Sequence, residues 1–435
     1  MITRHLIERI EGEAEVAYEL DRGRVAFATI RFPHIRGMEK ILEGRSALDA
    51  LVVTPRTCGI CGHSHLMATV SAIESVYANA GAGLKVSAKA KMIREVTLML
   101  ELVQNHFKWF YLVIYPELSK LAGKQAEQGM MLKGAFAASA TNRVSALFSG
   151  QWPHSSYAIP GGVTCDPTRL DLVRAESCLD EVIRFFEREF AGVSLEHFLV
   201  IKSCKEFNDI RSDMAGVERM LTQCGMQEKG FGYDRFMILG EHAYANPSKI
   251  VGTVSRKAEN SQVEVAAPYS PGGKSRALNA LYRGEYYETG PLARAMSMGY
   301  PLIKNIHRRF KDSVYSRVNA RAYEIGHLLY RIKQSLRQID VAEPSYIPPE
   351  LPIRELSGEG VGVAEAPRGP LIHRLTLEAG IIRNYRMITP TQWNLASGPK
   401  EAPGVAQHAM IGSTNPQEAE FIFRSFDVCS VCTTH

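Results

Sequence analysis

Apolar residues along this chain repeat at two spacings, and the changes of spacing mark its elements. Residues 13–20 and 24–32 alternate polar and apolar side chains around Asp21-Arg22-Gly23, the pattern of a β-hairpin closed by a glycine-containing turn. A short helix is predicted to begin at or just after Glu39. From Leu84 to about Tyr115 the set Met92, Val96, Leu98, Leu102, Val103, Phe107 and Phe110 recurs at helical spacing, which predicts one long, largely buried helix stopped by Pro116. Residues 150–163 read as a loop by their Gly and Pro content, and 168–191 and 203–222 as further helices. The stretch 227–280 mixes short β-like runs with Gly, Ser, Pro and Asn, so it is expected to be an irregular sheet-and-loop insertion. Val318, Ala322, Ile325, Leu329, Ile332, Leu336 and Ile339 then step by three or four, predicting a helix over 306–339 that the Pro-rich segment 343–352 ends. Short strands between turns are expected from Gly358 to Arg383, and a last short helix over 416–426. The fold class is therefore α+β but predominantly helical, a long buried helix bundle with small β-sheets at its periphery. No repeat, low-complexity tract or linker interrupts it, so a single intertwined domain over 1–435 is the expectation.

Composition narrows the function classes. With 45% hydrophobic residues in 435, a substantial core is available. A net charge of +5 on 51 basic and 46 acidic residues is mild, and no basic run with interleaved aromatics marks a nucleic-acid face, so no such partner is expected. No apolar run approaches the roughly 20 residues that span a bilayer, and neither a signal core nor a twin-arginine sequence opens the chain. A soluble subunit without direct membrane insertion is expected, its placement cytoplasmic unless a partner carries it for export. Eight cysteines are too few for a disulfide scaffold. Cys165, Cys178, Cys204 and Cys224 are solitary and read as small buried hydrophobes.

The other four cysteines carry the chemistry. Arg56-Thr57-Cys58-Gly59-Ile60-Cys61-Gly62-His63-Ser64-His65 places two thiols on one tight loop, and Asp427-Val428-Cys429-Ser430-Val431-Cys432-Thr433-Thr434-His435 repeats the arrangement at the far end. Two Cys-x-x-Cys pairs ask for one soft metal, so folding must bring the two segments together at a buried site. A structural zinc usually draws its pairs from one small module with about 15–20 residues between them. Here 367 residues intervene, 62 through 428. Thiolate softness alone divides about evenly between zinc and a redox metal, the latter as nickel or an iron–sulfur cluster.

The surrounding motifs decide. In order they are Arg9-Ile10-Glu11-Gly12, Arg36-Gly37-Met38-Glu39-Lys40-Ile41-Leu42, the Arg56–His65 stretch, Pro160-Gly161-Gly162-Val163, Tyr287-Glu288-Thr289-Gly290-Pro291-Leu292-Ala293-Arg294, Glu365-Ala366-Pro367-Arg368-Gly369, Pro390-Thr391-Gln392-Trp393-Asn394 and the C-terminal nine residues. Across nearly the whole chain this set resembles the large, catalytic subunit of nickel–iron hydrogenases. The resemblance implies nickel held by four cysteines, with Cys58 and Cys429 as terminal ligands and Cys61 and Cys432 shared with an iron that carries carbon monoxide and cyanide. It implies heterolytic cleavage of dihydrogen, with the proton passing to Cys429 and then to Glu11. The physical case for Glu11 stands beside it: a proton released at a buried centre needs a carboxylate to carry it away, and burial suits a carboxylate to that work. His65 resembles the imidazole that donates an N–H to a thiolate. Arg368, paired with Asp427 beside Pro367, resembles the cation over the open face of the two metals, and Thr391 the hydroxyl donor to a cyanide. Glu39 and His435 resemble ligands of a magnesium ion near the C-terminus.

Glu13, Met38 and Val428 depart from the residues usual in that family, at positions peripheral to ligation. This chain has no further cysteine cluster with iron–sulfur spacing, so the resemblance implies an iron–sulfur small subunit beside the metals and opens the way to further electron-transfer subunits. An end at His435 agrees with a processed C-terminus. Two other readings are a dihydrogen sensor that keeps the ligands, and a structural four-cysteine zinc protein.

Overall fold

In the computed structural model, which describes residues 2–10, 12–207, 210–240, 249–252 and 255–433, the elements follow the apolar spacing closely and depart from it at identifiable places. The predicted hairpin is present as β2 (Gly12–Asp21) and β3 (Arg24–Arg31). A strand ahead of it, β1 (Ile2–Ile10), adds to its edge, so the first sheet has order β1-β2-β3. The short helix carrying Glu39 runs from Met38 to Leu42.

Two helices then build the floor of the site. Helix α1 (Gly62–Asn79) starts directly after Cys61, and every residue of its first half, Gly62 through Val70, is buried. Helix α2 (Ala88–Lys108) is capped by the Ser87 hydroxyl accepting the Ala90 N–H, so it begins four residues later than the periodicity predicts. Pro116 does not stop the helical path. The chain widens into π-turns over Trp109–Ile114 and continues as a helix from Tyr115 to Leu121, with the proline in its first turn, where no N–H is required of it. Helix α3 (Gln128–Ser149) packs beside α2, and α4 (Arg169–Phe185, capped by a Thr168–Asp171 box) packs beside α3. Of the helix expected over 203–222, only Asp213–Gln223 is regular, because Ser212 caps it.

The 227–280 region is the irregular set of short strands anticipated, among the described residues. The helix expected from 306 is two: Pro301–Phe310 ends at Lys311, which has φ of 49°, and Ser313 caps α5 (Val314–Gln338). Local capping chemistry thus overrides continuous periodicity. The strands expected to be short are long, forming an antiparallel meander of β4 (Gly358–Ala366), β5 (Gly369–Glu378) and β6 (Ile381–Ile388). Strand β4 lies on α1 at backbone contact, since a Cβ at Gly360 would sit 2.1 Å from the Ala72 carbonyl oxygen and one at Gly362 2.0 Å from that of Ala68. Only glycine admits that approach. Helix α6 (Pro416–Ser425) then leads into the second cysteine pair, as predicted.

Among the described residues no helix is long and apolar enough to cross a membrane.

Candidate metal centre

The first cysteine loop is set by what flanks it. A 3-10 turn over Thr54–Thr57 delivers Cys58 in extended geometry, and α1 starts at Gly62. At the other end α6 closes at Phe426, and Asp427 takes φ of 59°, a left-handed conformation that Asp tolerates. That residue turns the chain into the short helical segment Ser430–Thr433, and the Thr433 hydroxyl donates back to the Cys429 carbonyl at 2.9 Å. The two loops meet. All four Sγ atoms lie within 4.8 Å of one another, fully buried, with separations of 3.6 Å for Cys58–Cys429, 3.2 Å for Cys61–Cys432 and 3.0 Å for Cys429–Cys432. Metal–sulfur bonds of about 2.3 Å set tetrahedral S···S edges near 3.7 Å, so the cluster has the span of a metal site. All eight cysteines are free thiols. Burial pushes the Cys61 and Cys432 thiols well up. Against the same burial, hydrogen bonds from Cys432, Cys58 and Cys61 and the charge of Arg368 draw Cys429 well down.

Arg368 and Asp427 pair over this cluster. Arg368 Nε donates to the Asp427 carbonyl at 2.9 Å and Nη2 to its carboxylate at 3.1 Å. Desolvation works against the Arg368 charge, but Asp427 and the thiolates of Cys429, Cys61 and Cys58 outweigh it and raise its pKa. Arg321 takes the other Asp427 oxygen and stacks on Trp109 at 4.4 Å. The backbone that lifts Arg368 is held as well. Arg294, fully buried, spends its five N–H donors on Glu324, Glu365 and the carbonyls of Ala366 and Pro367. A cavity of about 250 Å³ reaches this pair, lined by Ile60, Asn105, Trp109, Arg368, Asp427 and Val428 among others.

Sequence reasoning missed the clasp beneath the first loop. Glu101 and Asn105, one turn apart on α2, face the Cys58–Cys61 segment. The Glu101 carboxylate accepts the N–H groups of His63 at 2.7 Å and Ser64 at 2.9 Å, together with the Ser64 hydroxyl. Asn105 Nδ2 donates to the Ile60 carbonyl. Burial pushes Glu101 up to about 7, against the pull of the Ser64 and His63 donors and of Arg368. Two polar residues at helical spacing inside an apolar run were the available signal.

The remaining predicted residues fall as follows. His65 is buried, with Nδ1 at 3.1 Å from His373 Nε2. His63 packs edge-on against Trp152 at 4.8 Å. Thr391 is buried and its hydroxyl has no hydrogen-bond partner, an orphan that an additional acceptor at the centre would satisfy. Glu39 accepts the Met387 N–H at 2.7 Å and pairs with Arg386 at 3.1 Å. Glu11 and His435 lie outside the described residues. Gly12, with φ of 89°, packs so tightly on the second cysteine turn that a Cβ there would sit 2.2 Å from the Ser430 hydroxyl.

Four buried thiols brought together from distant parts of the chain, with the Arg368–Asp427 pair beside them, make the arrangement of a four-cysteine metal centre. A family model described as nickel-dependent hydrogenase matches residues 36–114 and 275–435, and the chain belongs to that family. Similar relatives include the large subunit of the periplasmic [NiFeSe] hydrogenase of Desulfomicrobium baculatum, 24% identical over 99% of this chain and 93% of that protein. Another is the hydrogenase-2 large chain of Escherichia coli K12, 22% identical over 100% of this chain and 97% of that one. The solved Desulfomicrobium baculatum [NiFeSe]-hydrogenase shares the fold with a TM-score of 0.83, at 22% identity over 100% of both chains.

Proposed function

We propose that this chain is the catalytic subunit of a nickel–iron hydrogenase, with Cys58, Cys61, Cys429 and Cys432 holding the two metals and an iron–sulfur small subunit taking the electrons. The convergence of those four thiols, all buried and within 4.8 Å of one another, is the observation that carries it. Bound there, a nickel–iron pair with carbon monoxide and cyanide on iron would supply the redox chemistry that splits dihydrogen heterolytically. The protein's own part is binding, charge placement and proton movement. Arg368 keeps a fixed positive fork over the centre because Asp427 and the Arg294 clamp hold both its ends, so its donors need no reorganisation when charge develops. The Thr391 hydroxyl, buried without a hydrogen-bond partner, is assigned to donate to a diatomic ligand. Cys429 Sγ, beside Arg368, is the group assigned to receive the proton, and Glu11 the carboxylate that carries it outward. Support for Glu11 comes from its neighbour Gly12, which lies against Ser430 in the turn that carries Cys429. Glu39, with His435, is assigned to magnesium.

Infrared absorption by metal-bound carbon monoxide and cyanide in the purified complex, together with nickel and iron by elemental analysis, tests the reading. Zinc alone at the site would overturn it.

A further inference from the structure

Behind the first cysteine loop runs a buried hydrogen-bonded chain that the reading above does not use. His65, in the first turn of α1, lies with Nδ1 at 3.1 Å from Nε2 of His373 on β5. On its other side His373 Nδ1 is 2.7 Å from the Tyr385 hydroxyl on β6 and 3.0 Å from the Thr69 hydroxyl, and those two hydroxyls are 2.9 Å apart. The chain then closes on itself. The Thr69 hydroxyl also lies 2.9 Å from the His65 carbonyl and 2.7 Å from the Thr54 hydroxyl, which is itself 2.8 Å from the Ala50 carbonyl. Thr54, Thr69, His373 and Tyr385 have no solvent exposure, so the chain offers a proton no way out. Its use must be orientation.

We propose that His373, held by Tyr385 and Thr69, is a positioning residue that fixes the tautomer of His65 so that His65 presents an N–H, not a lone pair, to the thiolate centre. This rests on the nickel–iron reading. A contact between two ring nitrogens holds one proton, so the proton on one ring dictates the arrangement on the other. Two arrangements satisfy the chain. In the first, the Tyr385 hydroxyl donates to His373 Nδ1, His373 Nε2–H donates to His65 Nδ1, and His65 carries its proton on Nε2. In the second every direction is reversed, and His65 Nε2 is a lone pair. With Nδ1 committed to His373, any bond from His65 to a thiolate comes from Nε2. A lone pair toward thiolate charge is repelled, whereas an N–H makes a charge-assisted hydrogen bond. The first arrangement is therefore the one selected, and an outer partner orienting a ligand-side imidazole is how metal sites commonly tune their ligands.

The test is infrared spectroscopy of the metal-loaded complex, with nickel and iron content measured on the same samples. Removing the donor with His373→Leu, or both hydroxyls with Tyr385→Phe and Thr69→Val together, should shift the carbon monoxide stretch to lower wavenumber at unchanged metal content. The physical reason is that a thiolate relieved of its N–H donates more density to iron. His373→Gln, which keeps an N–H near the place of Nε2, should restore the wild-type band. If His373→Leu fails to load metal, the hydroxyl pair decides. An unmoved band in the loaded variants, or a shift of equal size in His373→Gln, overturns the proposal. Wild-type protein with no such band would instead overturn the nickel–iron reading on which it rests.

Discussion

At the scale of single residues, the centre separates groups that hold metal from groups that move protons. The proposed roles put Cys429 in both classes, and its surroundings suit them: its Sγ lies 3.6 Å from Cys58 and 3.0 Å from Cys432 while Arg368 adds positive charge beside it. Replacing Cys429 by Ser exchanges a soft donor for a hard one, so nickel retention should fall, and elemental analysis of the purified variant checks this. Replacing Glu11 by Gln should leave both metals bound but lower dihydrogen turnover by about 10²- to 10⁴-fold, the usual weight of a positioned acid–base group. Unchanged turnover would remove Glu11 from the proton route. These residues were legible in the sequence because each sits within a few positions of a cysteine or a glycine-marked motif. Arg321, which shares Asp427 with Arg368, was not, since nothing local distinguishes it from the other arginines of a helical run.

The element that matters most is α2. It was legible as a helix from its apolar period, but the same period hid what it carries. Glu101 and Asn105 grip opposite polarities of the first loop, the carboxylate taking N–H groups at the start of α1 and the amide taking the Ile60 carbonyl just before it. Replacing Asn105 by Ala leaves that carbonyl without the donor and should cost about 1–3 kcal/mol in chemical denaturation. Glu101 makes a pH-dependent contribution whose sign is fixed by its upward shift, from an ordinary 4.5 to about 7. A carboxyl whose folded pKa is raised contributes its full stability below 4.5 and loses it as pH rises through about 7. Glu101→Gln cannot ionise, so the metal-free variant should show a flatter stability profile across that window than the metal-free parent. Equal slopes in thermal denaturation would show that Glu101 titrates normally. The three errors in reading helix starts share one cause: Ser87, Ser212 and Ser313 start helices where their hydroxyls can accept a backbone N–H, inside stretches that the apolar spacing treats as continuous.

At the scale of the whole molecule, the fold is a means of closing a distance. The helical core, the peripheral sheets and the meeting of the two cysteine pairs follow from apolar spacing and from the need of two soft ligand pairs for one metal. The packing that brings them together does not. It depends on backbone contacts such as Gly360 and Gly362 against α1, and a glycine in a sequence does not say what approaches it. Because ligands come from both cysteine turns, metal bound to the folded state should stabilise the whole chain. A chain ending before Val428 should bind little nickel, and adding metal should leave its thermal midpoint unmoved. A midpoint that still rose would place the stabilising metal elsewhere.

The separation of Cys58 from Cys429 by 371 positions also has a temporal meaning. At about 5–20 residues per second, a ribosome needs roughly 20–70 s to deliver the second pair after the first. Throughout that interval the early thiols have no partners from the late turn, and the seam between Gly12 and Ser430 stands open. Loading of this centre is thus a scheduling problem for the cell, in which oxidation of two waiting sulfurs competes with the arrival of the rest of their cage.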